Sequence, residues 1–314
     1  MLDNYFLIIS FVCIIIFFSI NSLLKKTLTY KNYFCFATNF MCKIPENLDL
    51  LVLGSTYSLF DCQAINEFCE NAWNMGSFNR PIKYDFYILK KYSKYLSSKS
   101  KILFLLSGCI CLCSPDYDDT SGTHYAILNY SSMNRPSIKL WCNYHMPILH
   151  LGKYLIIRHK SKLSYDEKYK MMIGEASPEE LMINRINTWK NQFSLKSLDE
   201  KCFTDETFRS IEMNSKILEE IANFCSAKGI QLFIVIPPFS KHLNIHISDT
   251  FISKSLYEPI RNSLNNIPIL DYRKHPFFQE HVEYFIDGGF LLNYEGSKEF
   301  CQLLLKTIEN RSKN

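Results

Sequence analysis

Leu48-Asp49-Leu50-Leu51-Val52-Leu53 runs into Gly54-Ser55-Thr56-Tyr57-Ser58, an apolar stretch of strand length ending on a glycine and several hydroxyls. A helix-like segment follows. A buried strand can carry a hydroxyl to the C-terminal edge of a sheet, and glycine permits the sharp turn there. The hydroxyl then sits near the start of the next helix, where developing negative charge is favoured. The chemistry this would serve is acyl transfer to a nucleophilic hydroxyl held in this turn. That chemistry also needs a base, an acid to orient the base, and donors for an oxyanion. The chain has ten glycines, and six of them cluster at such turns: Gly54, Gly76 and Gly108 each follow a strand, while Gly288, Gly289 and Gly296 flank the last loop. The backbone must turn sharply or approach something closely at that edge, and turn chemistry alone would also explain the pattern.

The elements that would position these residues alternate between strand and helix, the signature of a mostly parallel sheet with helices on both faces. Strands are expected at 48–54, 72–76, 102–107, 231–236 and 267–271. Helices are expected at about 58–70, 81–96, 205–228, 253–264 and 294–309. Residues 109–200 interrupt the rhythm and are expected to form a large insertion. It contains one clear helix start, the capping box Ser177-Pro178-Glu179-Glu180. Cys109, Cys111 and Cys113 alternate as a strand would place them on one face.

Residues 1–24 read as a transmembrane helix, 25–47 as a linker and 48–314 as the α/β domain. The uncharged run from Asn4 to Leu24 would reach roughly 31 Å as a helix, enough to cross a bilayer core. It lacks the basic start and small-x-small cleavage site of a signal peptide. Lys25, Lys26 and Lys31 follow it, a positive-inside bias toward a single-pass protein whose large domain faces the cytoplasm.

A net charge of +4, with 21% charged and 47% hydrophobic residues and no Lys/Arg block, argues against nucleic-acid binding. The twelve cysteines include no C-x-x-C pair and read as reduced, buried thiols. No metal site or cofactor motif is expected. Asp116, Asp118 and Asp119 lack the glycine and distal glutamate of a calcium loop and read as turn residues. Asp271 closes a strand, where it could face the site or cap a loop.

The order of Leu-Val-Leu-Gly54-Ser55-Thr56, Trp73-Asn74-Met75-Gly76, Phe-Leu-Leu-Ser107, Ile-Val-Ile-Pro237-Pro238 and Asp287-Gly-Gly-Phe-Leu-Leu-Asn293-Tyr-Glu-Gly296 resembles the SGNH/GDSL hydrolase superfamily. The likeness runs over residues 48–108 and 205–310. It is nearest in style to membrane-anchored members that accompany cell-surface polysaccharide synthesis. The resemblance implies a three-layer α/β/α, flavodoxin-like domain with Thr56 as nucleophile, Ser55 beside it and Asp287 as the acid. Gly54, Gly76, Asn74, Ser107 and Asn293 would form the oxyanion or substrate-binding set. The family's terminal histidine has no counterpart, because the position three after Asp287 is Phe290 and the residue before Leu292-Asn293 is Leu291. His275 and His281 lie upstream and would have to swing in; His242 and His246 are more distant alternatives.

Two function classes follow from the resemblance. One is a membrane-bound esterase or O-acetyltransferase acting on a surface glycan. The other is a catalytically inactive glycan-binding or assembly protein that keeps the cleft without the base. The implied partners are the bilayer, a carbohydrate or acylated glycan, and a membrane acyltransferase.

Overall fold

A computed structural model describes residues 2–27, 30, 44–78, 80–117, 123–150, 166–167, 169–170, 174, 176–264 and 266–312. The chain divides into two compact units, residues 1–42 with 118–163, and residues 43–117 with 164–314. The expected insertion is therefore divided, since its middle belongs with the N-terminal segment and its ends belong with the sheet.

The second unit is an α/β domain. Five strands, β1 (Leu48–Leu53), β2 (Ala72–Asn74), β3 (Leu96–Leu105), β4 (Gln231–Ile236) and β5 (Ile269–Asp271), form one sheet in the order β2-β1-β3-β4-β5. Every pairing is parallel. The order reverses direction between β1 and β3, and the C-terminal ends of those strands flank the resulting crevice, the usual ligand position in open α/β sheets.

The strands read as continuous apolar runs because both sheet faces are covered. Leu50, Val52, Leu103, Leu105, Phe233 and Val235 share one core with Phe300, Cys301, Leu304 and Ile308 of the Tyr294–Ser312 helix. Those four helical residues recur at the spacing that makes one buried stripe. The alternate strand residues, among them Leu51, Ile102, Phe104 and Ile234, are equally buried. They face the opposite side, where the Asp205–Ala227 helix packs against β4 and the Ile82–Tyr92 helix.

Several boundaries differ from expectation. The helix expected over 58–70 is two short ones, Thr56–Asp61 and Ile65–Phe68. Strand β3 starts six residues earlier than its apolar core, with a register shift against β1 between Leu48 and Leu50. Cys109, Cys111 and Cys113 lie around a single 3₁₀ turn, Ile110–Leu112, rather than on a strand. The carbonyls of Cys111 and Cys113 accept hydrogen bonds from Asn214 Nδ2 at 2.9 and 2.8 Å, which replaces pairing with a neighbouring strand. The ten described cysteines are free thiols.

In the first unit, the Leu2–Lys25 helix includes a 21-residue stretch, Tyr5–Lys25, long and apolar enough to cross a membrane. The buried Asn21 accepts a hydrogen bond from Ile148 N–H and donates to Phe17 O. The same unit holds a helix at Ile138–His145, capped by Ser137. Most of the expected linker, and Asp118 and Asp119, lie outside the described residues.

Candidate functional site

At the end of β1 the chain turns through Gly54, whose φ of +127° is closed to ordinary L side chains. Its N–H donates to Asp85 Oδ1 at 3.1 Å. Its carbonyl accepts from Ser58 Oγ at 2.8 Å and from Arg80 Nη2 at 2.6 Å. The Arg80 guanidinium is wholly buried and also donates to Met75 O, Ser77 Oγ and Asp85 Oδ1, the last at 2.5 Å. Burial pushes the Asp85 carboxyl above its usual range, with Arg80 and the Gly54 N–H opposing. A buried ion pair thus clamps the elbow from below.

Ser55 is buried, and its Oγ accepts the Arg80 backbone N–H at 3.0 Å. Thr56 is half-buried and faces a cleft that is open to solvent. The cleft is walled further by Tyr117, by Arg185, Trp189 and Gln192 of the Pro178–Gln192 helix, and by Phe290.

The terminal block reaches this elbow. Phe285 and Leu292 form an antiparallel bridge, and Leu292 N–H donates to Asp61 Oδ1 at 2.9 Å at the end of the elbow helix. Within the bridge, Asp287 Oδ1 accepts the N–H groups of Gly289, Phe290 and Leu291 at 3.0 to 3.2 Å. Asp287 is 2% exposed, and burial raises its carboxyl while Arg185 and these donors oppose the shift. This turn aims Phe290 into the cleft, with its ring centroid 5.3 Å from that of Tyr57 and 5.2 Å from that of Trp189. The Arg185 guanidinium lies 4.8 Å over the same ring.

Residues 54–56 and 287–293, far apart along the chain, therefore converge through this contact set. The other candidates take structural roles. Asn74 is buried, with Nδ2 donating to Ser58 O and Cys62 O and Oδ1 accepting the Gly76 N–H. That Gly76 N–H is thereby directed at Asn74 rather than at the cleft. Gly76 is required because a Cβ there would lie 2.3 Å from Leu59 N. Ser107 is buried beside the Tyr57 phenol, which burial pushes far above its usual range. Asn293 caps the last helix, Oδ1 accepting the Gly296 N–H at 2.9 Å and Nδ2 donating to Glu283 O. Asp271 serves its own loop, accepting from Tyr257 OH and Arg273 N–H. Asp116 pairs with Lys83 at 3.1 Å.

No histidine is among the described residues lining the cleft. His281 pairs with Glu283 at 2.7 Å, His275 precedes the Pro276–Glu280 helix among Tyr272 and Phe278, and His242 and His246 are exposed.

Comparison with protein-family models, curated proteins and solved structures yields no match. The site therefore has to be read from its own geometry.

Sequence reasoning missed Arg80, Arg185 and Trp189. A faint signal existed for each. Arg80 is the one charged residue in Ala72–Ile82, and Arg185, Trp189 and Gln192 recur at i, i+4, i+7 on a helix whose start was legible.

Asp61 adds a pH dependence. Its side chain is fully buried, and Oδ2 has no hydrogen-bond partner among the described residues. Burial, then the nearby Asp287 charge, holds its carboxyl well above the usual range, with the Leu292 N–H opposing. The folded chain therefore holds this proton more tightly than the unfolded chain. The stability this confers is complete below the ordinary carboxyl value of about 3.9 and is lost as pH rises through the elevated one. Asp61→Asn, which keeps an acceptor for Leu292, is expected to raise the thermal midpoint at pH 8 and leave it unraised near pH 4. Asp61→Ala strands the Leu292 N–H and is expected to cost about 1–3 kcal/mol near pH 4 and less at pH 8, where it also removes the buried charge. Circular-dichroism melts at the two pH values check this; a pH-independent gain in Asp61→Asn would contradict it.

Proposed function

We propose that this chain is a membrane-anchored, non-hydrolytic protein of the SGNH/GDSL type that binds a saccharide of a cell-surface polysaccharide system. The observation that carries the reading is Phe290. In the resembling family the third residue after the terminal aspartate is the base, and in this chain that position is a phenylalanine packed between Tyr57, Trp189 and Arg185. The strand order is that of flavodoxin-like folds, and the elbow follows β1, as an SGNH-type domain would have it.

With no histidine among the described residues lining the cleft, the Thr56 hydroxyl has no imidazole base there and is a weak nucleophile; loss of the base alone costs several orders of magnitude in rate. Asp287 Oδ1 is engaged by three backbone N–H groups of its own turn, and its buried Oδ2 has no partner among the described residues, so none of the described histidines is held by it. What remains is a cleft with aromatic walls, hydroxyls and a guanidinium, suited to a polar ligand with apolar faces. The Tyr5–Lys25 stretch supports a single-pass anchor, and the lysines after it favour a domain on the cytoplasmic side. An assembly role beside a membrane acyltransferase fits such placement.

Full-length protein in detergent micelles is expected to show no turnover of p-nitrophenyl acetate above Thr56→Ala and no labelling by a serine-reactive fluorophosphonate. Labelling that is lost in Thr56→Ala and kept in Ser55→Ala would replace this reading with the esterase or O-acetyltransferase one.

A further inference from the structure

The charge inside the cleft is unbalanced. Two arginines and no carboxylate are among its described lining residues. Arg80 is neutralised by Asp85. Arg185 is different, because no ion pair among the described residues includes it. Its Nη2 donates to Tyr169 OH at 2.6 Å, and one face of the guanidinium lies over Phe290. A guanidinium has five N–H donors; the Tyr169 bond engages one, and the residue lines the cleft.

Burial works against this charge, but Tyr169, Asp287 and Tyr57 hold it firmly protonated. Asp287 acts on Arg185 electrostatically, but its Oδ1 is taken up by the N–H groups of its own turn and no ion pair joins the two side chains. A partly desolvated cation without a paired anion gains most from a ligand that brings one, and the guanidinium fork matches a planar carboxylate in two parallel hydrogen bonds. Trp189 and Gln192 follow Arg185 at i+4 and i+7, so the same helix face brings a largely buried indole to the cleft wall and then an exposed amide with both donors and an acceptor.

The geometry points to an acidic saccharide as the occupant, its carboxylate held by Arg185, its ring against Trp189 and its hydroxyls within reach of Gln192 and Thr56. This rests on the saccharide reading of the cleft and narrows it to uronate- or sialate-like sugars.

The test uses full-length protein in lipid nanodiscs. It is applied to an array of uronate-bearing and sialylated oligosaccharides, their carboxyl methyl esters, sulfated oligosaccharides and neutral oligosaccharides. Carboxylate-bearing members are expected to bind at least tenfold more tightly than their methyl esters, with the difference shrinking as salt is raised. Arg185→Gln is expected to weaken them by about 10- to 100-fold and to weaken neutral members much less. Arg185→Lys, which keeps the charge without the fork, should retain part of the affinity and shows that the loss in Arg185→Gln is not misfolding. Equal binding of acids and methyl esters, or an Arg185→Gln that binds both as the wild type does, overturns the acidic assignment and leaves the saccharide site standing. A preference for sulfated over carboxylated members that depends on Arg185 overturns the carboxylate assignment alone. Absence of binding across the whole array overturns the saccharide reading itself.

Discussion

Arg80→Ala is expected to destabilise the α/β unit by about 3–5 kcal/mol, the usual cost of removing one partner of a buried ion pair. The guanidinium serves four acceptors: Gly54 O, Met75 O, Ser77 Oγ and Asp85 Oδ1. Truncation leaves an uncompensated Asp85, whose side chain is 1% exposed, and two main-chain carbonyls without this donor. Arg80→Lys keeps a charge but cannot span these acceptors with one ammonium, so it should recover only part of the loss. Because most of the damage comes from the stranded carboxylate, Arg80→Ala with Asp85→Ala should be less than additive. Urea unfolding of the four proteins followed by tryptophan fluorescence measures the cycle. A loss under about 1 kcal/mol in Arg80→Ala would show that the pair does not hold the elbow.

Gly54→Ala is expected to be nearly as damaging, for a steric reason. At φ +127° an L residue is strained by about 1–3 kcal/mol. The added Cβ would also lie 2.6 Å from Leu105 O, a backbone atom of β3 that cannot move without disturbing the sheet. That overlap adds about another 1–3 kcal/mol. The mechanism predicts a particular pattern: loss of stability together with loss of ligand binding, since the turn aims Thr56 into the cleft. Gly229→Ala is the internal comparison, a positive-φ glycine at +68° with its nearest neighbour at 3.6 Å, and should cost only the strain. Thermal melts of the two variants side by side separate strain from overlap. Equal losses would remove the close approach to Leu105 as a cause.

Both predictions concern how a turn is held, and the turn itself is legible in the sequence. Apolar runs as long as Leu50–Leu53 and Leu232–Ile236 bury on both sides, so composition alone marks them as inner strands. Helix boundaries were equally plain where side chains cap the backbone locally. Ser177 accepts the Glu180 N–H and Thr204 the Thr207 N–H, both within three residues. Where the partner is distant, the reading failed. Asn74 looked like an oxyanion donor by type, yet its amide is held by carbonyls 12 and 16 residues away. The cysteines of 109–113 alternate like a strand, but Asn214, about a hundred residues on, turns them into a helical turn.

The sequence by itself determined the α/β class, the strand positions, the apolar N-terminal helix and the missing imidazole, because each depends on residue type and on spacing within one element. The tertiary structure alone decided the strand order, the burial of Arg80 against Asp85, and the meeting of Phe290, Trp189 and Arg185 around Thr56. Phe290 meets Trp189 and Arg185 from more than a hundred positions away, and Arg80, though close to Asp85 in the chain, is fixed by the Gly54 carbonyl 26 residues before it; no local periodicity encodes which side chain will supply the partner for a buried charge or carbonyl.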